Sequence, residues 1–237
     1  ALRPVTPGAP ALALDDMFQR LRDPRDPRTP RTGAVWLEEA SYEGALVQPA
    51  VILEAVRMAH QRGIPVILDG SLLLHAAAAL GSSPAALARG ADLVILSPGL
   101  ELGGSTASVL AGEASLVERA GGSPAEADAG SWEGAADALR ADNSAAARLA
   151  EDLRRISGVR VDRPPEANVV LFRLPGWTDP ADSLLRRMEA RGILLDAPSG
   201  AVFKLHLRSG ADEAEFARFA SELGSLLASG GPPPGVN

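Results

Sequence analysis

The chain has 237 residues, a net charge of −7, 46% hydrophobic and only 4% aromatic residues, and no cysteine. That length holds one large domain or two smaller ones, with a core built mostly of Ala, Leu and Val. The acidic balance without a basic stripe excludes nucleic acid and anionic membranes as expected partners, and the absence of cysteine excludes disulfides and thiolate metal sites.

The first thirty residues are rich in Pro and Arg, and Asp23-Pro24 and Asp26-Pro27 break any helix there. A short helix is predicted at 14–21, followed by a buried strand at 33–37. Residues 49–62 carry Val51, Ile52, Ala55, Val56 and Ala59 at helical spacing, and Gly63 stops that helix. A strand at 64–68 ends in Asp69-Gly70. Helices follow at 71–80, stopped by Gly81, and at 84–88. Another buried strand at 92–96 ends in Ser97-Pro98-Gly99, and residues 106–110 are expected to pair beside it. Strands alternating with helices at this spacing predict an α/β fold, a mostly parallel sheet with crossover helices. Ligands bind such sheets at the strands' carboxyl ends, which here carry Glu38-Glu39, Asp69 and Ser97.

Beyond a loop at 121–130, an Ala-rich helix is predicted from 133 to 156. Strands are then expected at 159–161, 169–174, 193–195 and 202–207, with helices at 183–191 and 212–227. That order describes a small C-terminal α+β domain on an antiparallel sheet. The expected organisation is a truncated large domain at 1–132, a connecting helix at 133–157, the α+β domain at 158–228, and a disordered Gly/Pro tail at 229–237. No apolar stretch is long enough to span a bilayer, and the start lacks the plan of a signal peptide, so a cytoplasmic protein is expected.

Candidate chemistry is sparse. His60, His75 and His206 are too scattered in sequence for a metal motif, and no metal site is predicted. His75 follows three leucines and reads as a packed core histidine. Gly103-Gly104-Ser105 offers backbone amides to an anion but fits no nucleotide fingerprint. Lys204 is the only lysine. Strand alternation puts it with His206 on one face, opposite Leu205 and Leu207, where it reads as a surface residue. No catalytic Ser/His/Asp arrangement or carboxylate pair is identified.

Several stretches, in order, carry a resemblance. They are Pro30-Arg31-Thr32-Gly33 with Val35-Trp36-Leu37-Glu38, Ile67-Leu68-Asp69-Gly70-Ser71-Leu72, Leu96-Ser97-Pro98-Gly99-Leu100, Ser108-Val109-Leu110-Ala111-Gly112 and Pro164-Pro165-Glu166-Ala167-Asn168. From about residue 23 to 227 the chain resembles the low-specificity threonine aldolases, fold-type I enzymes that use pyridoxal phosphate (PLP). The resemblance implies that Asp69 is the remnant of the aspartate that pairs with the pyridine nitrogen. Its simpler role is to cap a turn or the next helix. Pro98 stands where the family has the lysine that forms the imine with PLP, and Leu72 where it has an arginine. Lys204, with Arg208 as the alternative, matches the arginine that clamps the substrate carboxylate. Family members begin roughly a hundred residues earlier, judged by domain size.

The resemblance thus implies a non-catalytic subunit that binds no PLP covalently. It would pair with a full-length threonine-aldolase-like PLP enzyme, PLP residing in that partner, in a heteromeric aldolase or transaldolase acting on β-hydroxy amino acids. The alternative is an independent homodimeric binding or regulatory protein without PLP chemistry.

Overall fold

Alternating burial builds the first sheet. Val35 and Leu37 are buried while Trp36 and Glu38 between them are exposed, the period of two expected of a strand with unlike faces. The computed structural model describes residues 2–5, 12–22, 25–40, 44–102, 108–121, 132–178, 180–208 and 212–230. The Asp23-Pro24 breaker, Gly103-Gly104-Ser105, the start of the expected strand at 106–110, most of the loop at 121–130 and the tail from 231 lie outside these residues.

The chain divides into two compact units, Ala1–Arg140 and Ala141–Asn237. In the first, α1 (Leu14–Arg20) precedes β1 (Val35–Glu38), and α2 (Pro49–His60) leads to β2 (Val66–Gly70). Then come α3 (Leu73–Leu80), α4 (Pro84–Leu87), β3 (Leu93–Leu96), α5 (Pro98–Glu101), β4 (Val109–Gly112) and α6 (Ala114–Arg119). Strands run β1-β2-β3-β4 across the sheet. The first three are parallel, as predicted, and β4 returns antiparallel to β3. The short helices α5 and α6 have no counterpart among the predicted elements.

Proline opens α2 at its first position, where its missing N–H costs no helical bond. The buried face of α2, Ile52, Ala55, Val56 and Ala59, accompanies Leu37, Val66, Leu68, Leu73, Ala76 and Ala77 in the core. Gly81 ends α3 in the left-handed region at φ 61°, the conformation glycine adopts most readily. Gly70 has a different reason: a Cβ there would lie 2.9 Å from the Ile95 carbonyl oxygen, so β2 and β3 approach this closely only past a bare backbone.

The unit boundary falls inside α7 (Trp132–Arg154). In the second unit β5 (Val169–Phe172) and β6 (Phe203–His206) form an antiparallel pair, accompanied by α8 (Ala181–Glu189) and α9 (Glu213–Gly230). Phe172 stacks on Phe203 at 5.0 Å and meets Phe219 edge-on at 6.1 Å. Leu149, Leu153, Leu184, Met188 and Leu223 complete this core. Two predicted strands are corrected. Residues 159–161 contribute a single bridge, Arg160 to Arg173. Residues 193–195 form no strand: Leu194 is 81% exposed and pairs with no strand among the described residues. The last helix runs to Gly230, past the predicted end at 227.

Candidate functional site

The carboxyl ends of β1, β2 and β3 lie side by side because the three strands are parallel. Glu38 is the register partner of Asp69, and Asp69 of Ile95. Paired residues of neighbouring strands share a face, so Glu38 and Asp69 stand next to each other, with Trp36 and Ile67 before them on the same face.

Asp69 is held by the turn that leaves β2. Its Oδ1 accepts the Ser71 N–H at 3.0 Å and the Ser71 hydroxyl at 2.6 Å, a local turn of the kind aspartate favours. Oδ2 meets no donor among the described residues. From there a row of hydroxyls crosses the sheet. Ser97 Oγ donates to Ser71 Oγ at 3.4 Å and lies 3.5 Å from Ser108 Oγ, both long for hydroxyl pairs.

Glu39 is the residue that sequence patterning left without a role. It continues the buried face of Val35 and Leu37 and is fully buried. Its N–H bonds the Asp69 carbonyl at 3.1 Å and its carbonyl accepts the Val47 N–H at 2.9 Å. Neither carboxyl oxygen has a hydrogen-bond partner among the described residues. Burial pushes this carboxyl up to about 7, because the charged form loses water without gaining a donor.

His75 is buried, as predicted, but it is paired. Glu101 Oε1 accepts the His75 N–H at 2.9 Å and lies 3.2 Å from Nδ1, with both side chains wholly buried. Leu72, the residue capping α3, supplies no side-chain cap. Glu101 therefore replaces a local cap, satisfying an early amide of α3 from 26 residues away. Burial raises the Glu101 pKa, with the His75 hydrogen bonds opposing it. Nothing in the sequence marks this pair, since Glu101 sits in a helix of one turn.

The structure brings Asp69, Pro98 and Leu72 to the same end of the sheet. Pro98 is the first residue of α5, directly after Ser97, and Leu72 is buried. Lys204 and Arg208 belong to the second unit. Lys204 pairs with Leu171 in the β5–β6 register and, like His206, is half-buried rather than solvent-facing. Arg208 is exposed just past β6. Among the described residues no group of three or more His, Asp or Glu side chains is arranged to hold a metal ion.

The residues present fit PLP only in part. An aspartate with one free oxygen ends β2, as a pyridine-nitrogen partner requires, but the residue opening α5 is a proline with no amine. Covalent attachment of PLP at that position does not fit this chain.

The family model for beta-eliminating lyases matches residues 2–174. Among solved structures, the chain is similar to a candidate L-allo-threonine aldolase of Listeria monocytogenes EGD-E, at 22% identity and a TM-score of 0.65, covering 90% of this chain and 65% of that one. It is similar to the threonine aldolase of Leishmania major, at 17% identity and a TM-score of 0.67, covering 91% and 67%. The Oryza sativa protein TDC, solved with PLP, aligns at 16% identity and a TM-score of 0.66, covering 92% and 52%. The chain thus spans about two thirds of the first two proteins and half of the third. At these identities the likeness is one of fold, an α/β fold shared with fold-type I PLP enzymes. No curated protein sequence matches.

Proposed function

The chain belongs to the beta-eliminating lyase family, and from that premise we propose that it is a non-catalytic, threonine-aldolase-like subunit working with a complete, lysine-bearing paralogue. The observation that carries this reading is Pro98, which opens α5 at the end of β3 where the resemblance expects the imine-forming lysine. A tertiary amide nitrogen locked in a ring, with no N–H, can neither form an imine nor move a proton. The only lysine, Lys204, lies on β6 in the other unit.

PLP supplies an electron sink to the enzymes that bind it, and in this reading it resides in the partner. The residues of this chain then position rather than react. Ser71 fixes the Asp69 carboxylate, and the Glu101 carboxylate ties α5 to the start of α3. The ends of β2 and β3 are thereby held in register. The assembly would act on β-hydroxy amino acids, by aldol cleavage or exchange of the aldehyde half.

The test is purification of the chain alone and with a lysine-bearing threonine-aldolase-like paralogue, each incubated with PLP. Alone, the chain is expected to give no aldimine absorbance and no retro-aldol turnover of threonine. Together, the two are expected to co-purify in equal amounts with turnover above that of the paralogue alone. Turnover by the isolated chain contradicts the reading. A stable homodimer that ignores the paralogue supports an independent binding protein instead.

A further inference from the structure

Glu39 follows β1 with its main chain tied on two sides. Its N–H bonds the Asp69 carbonyl of β2, and its carbonyl accepts the Val47 N–H. Ala40 then bridges Leu46 in antiparallel fashion, so the segment leading to α2 is stitched back onto the strand end. That segment is buried at Ala45, Leu46 and Val47. Into this junction the chain sets a carboxyl that is wholly enclosed, and neither of its oxygens meets a donor among the described residues. A charged carboxylate with neither water nor a donor is strongly disfavoured, so the closed junction holds the neutral acid.

No neighbouring charge offsets that burial, which is the one cause of the raised pKa. Glu38 of β1 and Asp69 of β2 are register partners and stand on the opposite face of the sheet. On α2, Glu54 pairs with Arg57, and His60 pairs with Asp92 just before β3. On α3, His75 pairs with Glu101. Residues 44–47 carry no titratable side chain. The two main-chain bonds fix the Glu39 Cβ on the buried face of Val35 and Leu37. Water therefore reaches the carboxyl only if the strand end itself moves.

We propose that Glu39 is a proton-linked latch: protonated, it lets the ends of β1 and β2 and the return at 44–47 close together, and loss of its proton favours a locally opened state in which both main-chain bonds are broken and the carboxylate is hydrated. One of the bonds that opens is made to Asp69, so the latch governs the order of the sheet end that carries the candidate site. The inference rests on the fold and is independent of the partner-subunit reading. In the open state the carboxyl ionises near the ordinary 4.5, and in the closed state near 7. Opening therefore grows about tenfold per pH unit between those values and is level outside them.

The test uses the full chain with carbon-13 at its glutamate carboxyls. NMR titration gives the midpoint of the Glu39 carboxyl, assigned by its loss in Glu39→Gln. Amide exchange from pH 5 to 8, corrected for the intrinsic rate, gives local protection. The carboxyl is expected to titrate near 7. Protection of the Glu39 and Val47 amides is expected to fall on the order of a hundredfold over that range. At every pH it is expected to lie at least about tenfold below that of Leu68 in the middle of β2, the mark of a local opening. In Glu39→Gln both amides are expected to keep a protection independent of pH. A midpoint near 4.5 overturns the proposal. A midpoint near 7 with both amides unchanged shows the carboxyl ionising in place, and also overturns it. Protection equal to that of Leu68 means that only global unfolding frees the carboxyl, which overturns the latch. If Glu39→Gln does not fold, the native titration and exchange decide the matter, with glutamate assignment made through the side-chain couplings.

Discussion

Glu39 pairs a strand-end position with a carboxyl that has lost its solvent and found no donor among the described residues. Its folded pKa of about 7 lies above the ordinary 4.5, so between those values the folded state holds a proton that the unfolded state has released. Stability is therefore highest below about pH 4.5 as far as this group is concerned, falls as the pH rises toward 7, and is level above that. The gap corresponds to an upper figure of about 3 kcal/mol. Glu39→Gln is expected to flatten this slope and to raise the melting temperature at pH 8, measured by thermal denaturation from pH 5 to 8. An unchanged slope would mean that the carboxyl has a donor in solution. Asp69 is governed by its contacts with Ser71. Asp69→Ala is expected to lose about 1 kcal/mol in urea unfolding, and Asp69→Asn, which keeps an acceptor oxygen, less than about half of that. Equal losses would show that the charge matters rather than the turn.

At the scale of elements, α3 and the β2–β3 pair are the parts most tightly determined. Glu101→Ala removes both the distant cap of α3 and the partner of buried His75. It is expected to cost about 3–5 kcal/mol and to speed amide exchange at His75 first. Gly70→Ala forces a methyl to within 2.9 Å of the Ile95 carbonyl, and is expected to cost about 1–3 kcal/mol in denaturant titrations. Gly70 shows why the Asp-Gly step was legible: strand packing demands the glycine whether or not chemistry is done beside it. The parallel strands and the ends of α2 and α3 were legible for the same kind of reason, in short apolar runs closed by Gly63, Gly70 and Gly81. The strand expected at 193–195 was not formed, because an apolar triplet does not reveal whether a neighbour exists to pair with it. Glu39 and Glu101 were invisible as buried groups. Glutamate is ordinarily exposed, and their burial depends on contacts distant in sequence, Val47 and Asp69 for one and His75 for the other.

At the scale of the whole molecule, the family match covers residues 2–174, and within it Pro98 and Leu72 stand where the resemblance expects a lysine and an arginine. The one lysine in 237 residues lies on β6, and the residue that opens α5 after β3 is a proline. Among the described residues no helix is long and apolar enough to cross a membrane. The central claim is that the coenzyme of any active assembly is bound to the other chain. Borohydride reduction of the co-purified pair with PLP, followed by intact mass measurement of each polypeptide, tests it most directly. The account predicts a pyridoxyl adduct on the lysine-bearing paralogue and an unmodified mass for this chain; a stoichiometric adduct on this chain, mapped to Lys204, would contradict it.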